Sequence, residues 1–327
     1  MGFRIRSLGR LVNALNGFVY DFKRYALYSA WAANMRDPGV RGYHMVKVYH
    51  SLEKSLSFKS QKKGSGWGVA KDVRDLVDFA NSSGDISFFD RAGLSVLQEF
   101  INSPGNLSEG RSEEIRVGLD RVYKCDEGRH GSMHFYKSDF ERGKLQSPED
   151  FFLSRYSLRE FLQKPVDLSD VKRVVSLALK TPSVCNRQGW HVYYTSEPGV
   201  IADALSHQKG NRGFGHKVPN LIIITTDLKA FMPGQEHYQH WIDGGLFSMS
   251  LIYALHSIGI ASCCLNWSQS PAADKRLRKG FNIKNNHTIM MMLAFGYPDE
   301  ENSVCASSRR PIEEVMTELK SAKDVVR

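Results

Sequence analysis

Two arginines and a serine alternate along one short segment of the chain, at Arg155, Ser157 and Arg159. Side chains two residues apart lie on the same side of an extended segment, so all three would point the same way. A guanidinium offers parallel N–H donors to a phosphate, and a hydroxyl adds a further hydrogen bond. The spacing therefore predicts an anion site. Taken alone, the same segment could equally be a solvated loop before a helix.

A second polar segment follows one predicted helix later and ends at Trp190. It contains Pro182, Ser183, Asn186 and Gln188. Hydroxyl and amide groups both donate and accept hydrogen bonds. Several such groups on a short loop suit the polar edge of a flat ring, so this segment predicts a second part of a ligand site.

In this order and spacing, the two segments resemble the opening motifs of the nitroreductase family of flavoproteins, Arg-x-Ser-x-Arg/Lys and Pro-Ser-x-x-Asn-x-Gln-Pro-Trp. The resemblance extends over about residues 150–320, and Gly189 stands where proline is usual. It implies an α+β, nitroreductase-like FMN-binding fold for residues 151–327, with a mainly antiparallel sheet flanked by helices. Residues 1–150 are expected to form a mostly helical N-terminal extension and a linker.

The resemblance also implies how FMN would be held. Arg155 and Ser157 would bind its phosphate together with Arg309, and Arg159 would lie near the pyrimidine edge, where a cation stabilises the reduced ring. The polar side chains of the second motif would contact the ring or the ribityl chain, from the same subunit or from its partner. The full expected set is Arg155, Tyr156, Ser157, Arg159, Pro182, Ser183, Asn186, Gln188, Ser262, Cys263, Arg309 and Arg310.

A further segment, residues 259–267, is similar to the Gly-Leu-Gly-x-Cys-Trp strand that approaches the flavin in this family. Ala261 replaces the usual glycine and Cys264 the usual tryptophan. Two roles are possible for the side chain of Cys263 in this segment. It could be a reactive thiol, but a small apolar core residue is the more frequent role of a cysteine beside which the sequence places no histidine or cation.

The C-terminal residues 307–314 resemble the basic-basic-Pro-hydrophobic-Glu-Glu ending of the family. In that ending a basic residue reaches the flavin phosphate, which here would be Arg309, with Arg310 beside it. The alternative is a solvated pair of cations before a terminal helix.

The implied activity is that of an FMN-dependent oxidoreductase of nitroreductase type. NAD(P)H would reduce FMN by hydride transfer, and an unidentified small-molecule acceptor would then be reduced, in a ping-pong sequence. The chain has no Gly-x-Gly-x-x-Gly fingerprint, so NAD(P)H would bind transiently. No catalytic acid or base is singled out, and no metal site is expected. The alternative is a non-catalytic flavin-fold scaffold or partner-docking protein, which the departures at Gly189, Ala261 and Cys264 leave open.

The resemblance implies a homodimer, whose core would contain the helix that begins at Asp243.

Residues 3–34 predict a basic amphipathic helix, which could lie on an anionic membrane surface or pack on its own domain. Its apolar positions are Ile5, Leu8, Leu11, Leu15, Phe18 and Phe22. Residues 50–57 resemble a segment ahead of the flavin domain in nitroreductase-like proteins of polysaccharide gene clusters, which predicts a link to polysaccharide biosynthesis.

Hydrophobic periodicity and turn residues predict the remaining elements. Further helices are expected at 69–82, 89–103, 109–124, 167–178, 200–208 and 271–281, with a linker at 125–152. Strands are expected at 191–195, 220–227, 259–267 and 289–295. A loop is expected at 232–240, with His237 and His240 exposed.

The bulk composition sets few limits on function. The 327 residues carry a net charge of +9, with 42% hydrophobic and 24% charged residues, which is ordinary for a globular protein. The charge alone does not select a partner, and the lack of a compact basic and aromatic patch predicts no nucleic-acid partner. Five cysteines, an odd number, are expected to be reduced thiols of a cytoplasmic protein. No apolar run approaches the roughly 20 residues of a membrane span.

Overall fold

The structure is a computed structural model that describes residues 2–30, 34–59, 64–128 and 130–321, together with the side chains of residue 8 onward within those ranges. The end of the predicted first helix, residues 31–33, lies outside the described residues, as do the side chains of Arg4, Ile5 and Arg6.

The N-terminal half is helical, as predicted. Its helices are α1 (Gly2–Tyr28), α2 (Pro38–Ser57), α3 (Trp67–Ser83), α4 (Phe88–Asn102) and α5 (Gly110–Arg116), followed by the short helices α6 (Lys137–Arg142) and α7 (Pro148–Leu153). Local sequence explains several ends. Asp37 accepts hydrogen bonds from the first backbone N–H groups of α2, and Ser87 and Asp90 form a reciprocal capping box on α4.

Helices α2, α3 and α4 pack around one apolar core that includes Leu52, Val77 and Leu97. A buried ion pair crosses the same core. The Nε and Nη2 atoms of Arg41 donate to the carboxylate of Asp90, and neither side chain is exposed to solvent. Because an unpaired charge is costly in such a site, the pair ties the start of α2 to the start of α4.

Among its described side chains, helix α1 forms its hydrogen bonds to the C-terminal half of the chain through the last turns. Arg24 donates to the carbonyl of His287 at 2.7 Å, and Tyr25 donates to the carbonyl of Met232 at 2.5 Å. The predicted amphipathic helix is therefore present, but its apolar positions from Leu8 to Phe22 are exposed rather than packed on the chain.

The C-terminal half is an α+β fold, as expected. Its elements are α8 (Leu168–Ala178), β1 (Trp190–Thr195), α9 (Pro198–Ser206), β2 (Asn220–Asp227), α10 (Gln239–His256), β3 (Ala261–Asn266), α11 (Pro271–Phe281) and β4 (His287–Gly296). The four strands form one sheet in the order β1-β2-β4-β3, and all three pairings are antiparallel.

The sheet is covered on both faces. One core contains apolar residues of α8 and α10, and the other contains residues of α9 and α11. The aliphatic run of β2 is buried along almost its whole length, which fits a central strand with helices on both sides. Gly244 lets α10 approach the sheet closely, because a Cβ atom there would lie 2.6 Å from the Met290 sulfur.

Three predicted boundaries were wrong. The helix predicted over 109–124 ends at Arg116, because Gly118 has a φ of +77° that a helix cannot continue through. The predicted linker contains α6 and α7, the second of which starts with Pro148 at its first position. Helix α10 begins at Gln239, so His240 is a buried helical residue rather than an exposed loop residue.

Contacts cross the predicted division at residue 150. Lys229 pairs with Asp37 at 2.5 Å, and Tyr43 donates to Asp227 at 3.4 Å. The division into a helical extension and an FMN-binding domain stays a prediction, and these contacts show that the two parts pack against each other. Among the described residues, no helix has both the length and the apolar character needed to cross a membrane.

Candidate functional site

The first motif lies beside the edge strand β3. Ser157 and Ser262 form a parallel bridge, and the backbone N–H of Leu158 donates to the Ser262 carbonyl at 3.1 Å. This pairing holds the motif in the extended form that the alternating pattern predicted. It places Arg155 and Tyr156 at the wall of a cavity of about 370 Å³ at the start of β3, which Ser262 also lines.

The other residues near this corner differ in their surroundings. Arg159 is exposed and donates through Nη1 to the Cys305 sulfur at 3.3 Å. Cys263 is buried in the core between the sheet and α9, and this burial raises the pKa of its thiol although Arg159 acts in the opposite direction. The thiol is therefore held in its protonated form. The small core residue is the interpretation that this placement supports.

The second motif forms a strained loop before β1. Three non-glycine residues in it have positive φ, at 50° for Cys185, 54° for Asn186 and 52° for Gln188. The Ser183 hydroxyl accepts a hydrogen bond from the Gln188 backbone N–H at 2.9 Å, which closes the loop on itself. Such backbone strain persists only where the surroundings hold it, and it is concentrated at functional sites.

A buried arginine holds this loop in place. Arg187, only 1% exposed, donates to the carbonyls of Val184 and Ala230 and pairs through both Nη atoms with the carboxylate of Glu236, at 2.8 and 2.9 Å. Burial acts against ionisation of Glu236, but the hydrogen bonds from Arg187 lower its pKa overall. No sequence pattern predicts this pair, because 49 residues separate its members.

The loop is also fixed to α10. The backbone N–H of Val184 donates to the Asp243 carboxylate at 3.2 Å, and Gln239 donates to the same carboxylate at 2.8 Å. Burial raises the pKa of Asp243. Asp243 had been expected only to start the helix, whereas it lies one turn inside and orients the loop. The spacing of Gln239 and Asp243, four residues apart on a helix, is the one sequence signal that could have indicated it.

Gly189 has a structural reason for departing from the usual proline. A Cβ atom at this position would lie 2.9 Å from the Ala230 Cβ and 3.3 Å from the Phe231 ring. Its carbonyl also accepts a hydrogen bond from the Asp227 N–H at 2.7 Å. A side chain at this position would therefore force the neighbouring segment at Ala230 and Phe231 to shift.

The two motifs lie at diagonally opposite corners of the sheet. Trp190 ends the second motif and starts the edge strand β1. It pairs with Thr226 of β2, which in turn pairs with Thr288 at the start of β4. Ser262, beside the first motif, lies on the other edge strand and pairs with Phe295 at the end of β4. The corners lie three strand spacings apart across the sheet and seven residues apart along β4, which together correspond to roughly 27 Å. This distance exceeds the length of one FMN molecule.

The C-terminal segment reaches the first corner only in part. Asn302 and Val304 line the cavity beside Arg155. Arg309 and Arg310 are exposed, and the Arg309 guanidinium donates to the Ser307 carbonyl. In the described part of the chain no contact joins either arginine to the first motif. The expected convergence of Arg155, Arg159 and Arg309 stays a prediction.

The residues present fit a phosphate-bearing aromatic cofactor. At the first corner Arg155 and Ser262 line a cavity, and the same motif carries the exposed Arg159. Two guanidinium groups and a hydroxyl suit a phosphate. The second corner offers Asn186 and Gln188 on a rigid loop, which suits the polar edge of a ring. One chain alone does not bring the two sets within reach of one ligand.

Comparisons with known proteins agree with the motifs. The nitroreductase family model matches residues 153–209, which contain both of them. An Archaeoglobus fulgidus protein, provisionally described as an NADH dehydrogenase/NAD(P)H nitroreductase, is 25% identical over 154 residues, 45% of this chain and 83% of its own. The iodotyrosine deiodinase of Nematostella vectensis is 23% identical over 226 residues, 61% of this chain and 80% of its own.

Among solved structures, the FMN-dependent nitroreductase of Clostridium difficile R20291 aligns with a TM-score of 0.45 at 19% identity, over 52% of this chain and 98% of its own. The family match falls on the residues from which the resemblance was drawn, Arg155 to Trp190. The resemblance is therefore confirmed: residues 153–209 match the nitroreductase family model, and the chain is similar to a relative described as an NAD(P)H nitroreductase.

Proposed function

We propose that the protein is an FMN-dependent oxidoreductase that uses NAD(P)H to reduce a small-molecule acceptor in a ping-pong sequence. Two features carry the proposal: the cavity beside β3, which Arg155 lines, and the strained polar loop before β1. The family match and relatives described as NAD(P)H nitroreductase and NADH dehydrogenase support the redox class.

The residues of the two corners have separate roles in this proposal. Arg155 and Ser157 hold the phosphate, and Arg159 places a positive charge near the pyrimidine edge of the ring. Asn186 and Gln188 hydrogen-bond the ring or the ribityl chain from the rigid loop. When bound, FMN supplies the hydride chemistry, and the protein supplies binding, orientation and charge.

The remaining predicted residues take supporting roles. Tyr156 and Ser262 line the phosphate cavity, and Pro182 with Ser183 shapes the loop. Arg309 and Arg310 would join the phosphate site when the C-terminal segment closes over it. Cys263 contributes through its backbone, since its side chain lies in the core.

A homodimer would bring the two corners together, because the loop of one subunit could face the cavity of its partner. Helix α10 offers a suitable contact face, on which Ile242 and Leu246 are exposed at 53% and 45%. Replacing both by Asp is expected to convert a dimer into a monomer and to remove bound flavin, as measured by light scattering and absorbance. A variant that stays dimeric would contradict this interface.

The decisive experiment is an absorbance spectrum of the purified protein before and after NADPH is added without oxygen. Flavin bands that disappear on addition are expected, and turnover with a quinone or nitroarene acceptor should follow. Bound flavin that resists both NADPH and NADH would favour the scaffold alternative. The close contact at Gly189 weakens that alternative, because it accounts for one of the sequence departures by packing alone.

Three further parts of the proposal have narrower support. A reducing compartment such as the cytoplasm fits the five free cysteines. A link to polysaccharide biosynthesis rests on the resemblance of residues 50–57 alone. Peripheral membrane contact through α1 fits its exposed apolar positions, which include Leu11, Leu15 and Phe18. Flotation with anionic vesicles would test it, and a protein that stays in the soluble fraction would exclude it.

A further inference from the structure

A second cavity lies between α1 and α11, away from both motifs. It has a volume of about 690 Å³, and its walls come from the last turns of α1, from α11 and from the turn at 282–285. Its cationic lining residues are Lys23, Arg24, Lys275, Arg278, Lys279 and Lys284. Neither half of the sequence forms this cleft alone. We call it the basic cleft.

Half of the lining is cationic: six of the twelve residues are lysine or arginine, and none is acidic. Two carboxylates, those of Asp274 and Asp21, act electrostatically on Arg24 in the cleft. Asp274 is already paired with Arg278 at 2.6 Å and accepts a hydrogen bond from Tyr20 at 2.7 Å. The cleft and its immediate surroundings therefore contain six positively charged and two negatively charged side chains.

One of the cations is buried without a carboxylate of its own. Arg24 is 9% exposed and donates to the carbonyls of Asn285 and His287 and to the Thr288 hydroxyl, all of them neutral acceptors. Burial lowers the pKa of Arg24, and the neighbouring Arg278 lowers it further. An anion in the cleft would relieve this repulsion.

The lysines of the cleft are free to bind. Lys23, Lys279 and Lys284 are exposed, and within the described ranges no carboxylate pairs with any of them. Lys275 lies above the Tyr20 ring, with its Nζ 5.5 Å from the ring centre. The last turns of α1 and α11 also line the cleft, and each helix end carries about half a negative charge. Two such ends offset about one of the surplus cations.

We propose that the basic cleft binds a phosphorylated organic anion of about the size of a nucleotide. The lysines would hold the phosphates, since ammonium groups act as point charges toward phosphate. Tyr28, Leu27 and Ile283 would cover the organic part. The volume lies within the range of about 300–1,000 Å³ that is typical of small-molecule sites. The ligand could be a soluble phosphate ester or the headgroup of an anionic lipid.

The test uses full-length protein that has been loaded with FMN and then desalted, so that the predicted flavin phosphate site is filled and no free FMN competes for the cleft. Inorganic pyrophosphate is titrated by calorimetry, and vesicles of phosphatidylglycerol or phosphatidylcholine are tested by co-sedimentation. The variant replaces Lys23, Lys279 and Lys284 by Ala. The matched control replaces the exposed Lys137, Lys172 and Lys209 by Ala, which removes the same charge elsewhere. All six side chains are exposed, so folding should be unaffected.

We expect pyrophosphate binding that weakens about tenfold or more in the cleft variant and less than about twofold in the control. If only phosphatidylglycerol vesicles bind, and the cleft variant alone loses them, the ligand is a lipid headgroup. Absence of binding to both probes, or equal losses in the two variants, would overturn the proposal. The flavin spectrum of the cleft variant should stay unchanged, which keeps this test independent of the proposed redox function.

Discussion

The strongest quantitative expectation concerns Glu236, the partner of Arg187. Replacing Glu236 by Ala removes two charge-assisted hydrogen bonds from Arg187 and the acceptor of the Met232 backbone N–H. Arg187 would keep its carbonyl acceptors but would lose its only carboxylate among the described residues. Removing one member of a buried pair costs about 3–5 kcal/mol. Because Glu236 is 24% exposed, water would replace part of the loss, so we expect about 2–3 kcal/mol.

The assay is urea unfolding at neutral pH, followed by flavin content and NADPH oxidation at equal protein concentration. The matched control is Glu113→Ala, which removes an exposed carboxylate paired with Arg116 and should cost no more than about 0.5 kcal/mol. If the loop needs the pair for its shape, Glu236→Ala also retains less flavin. A loss below about 1 kcal/mol, equal to that of the control, would refute the reasoning that Arg187 anchors the loop.

The same pair predicts a pH dependence. The folded-state pKa of Glu236 is lowered, so the pair stabilises the protein above the unfolded pKa of about 4.3. That contribution is lost as the pH falls through the lowered value. The difference in stability between the native protein and Glu236→Gln should therefore be full at pH 7 and should shrink progressively as the pH is lowered below about 4. A difference that stays constant over this range would contradict the assignment.

Two further predictions test packing at other places. Gly189→Ala should destabilise the protein by about 1–3 kcal/mol in thermal unfolding, and Ala230→Gly should rescue part of that loss, because the two Cβ atoms would otherwise lie 2.9 Å apart. Asp90→Ala should lower the free energy of unfolding by about 3–5 kcal/mol, because it leaves Arg41 unpaired in the helical core. The control Asp78→Ala, which breaks an exposed pair, should lower it by less than about 1 kcal/mol. Equal losses in the two variants would contradict the burial argument.

The elements of the C-terminal half were predictable because their signals are local. The aliphatic run of β2 and the helical period of α11 were assigned to within a few residues, since each pattern lies inside one element. The extended form of the first motif followed from its alternation in the same way. Two of the three boundary errors arose at Gly118 and Pro148, where one residue decides whether a helix ends or begins.

The anchoring of the site could not be predicted, because it depends on contacts between distant parts of the chain. Nothing in the sequence around Arg187 indicates that its carboxylate partner is Glu236, and Arg24 is separated by 263 residues from the carbonyl of His287. Side chains that satisfy buried backbone groups have no spacing rule, so only the fold assigns their partners.

The position of Arg24 gives the N-terminal helix a role in the sheet. His287 starts β4, and its backbone carbonyl lies where the strand begins, so an unsatisfied acceptor there would weaken the central pairing of β2 and β4. Because Arg24 donates a hydrogen bond to this carbonyl, α1 is part of the C-terminal fold. The same helix forms one wall of the basic cleft. Removing α1 should therefore both destabilise the sheet and abolish anion binding at the cleft. An extension that merely preceded an independent domain would do neither.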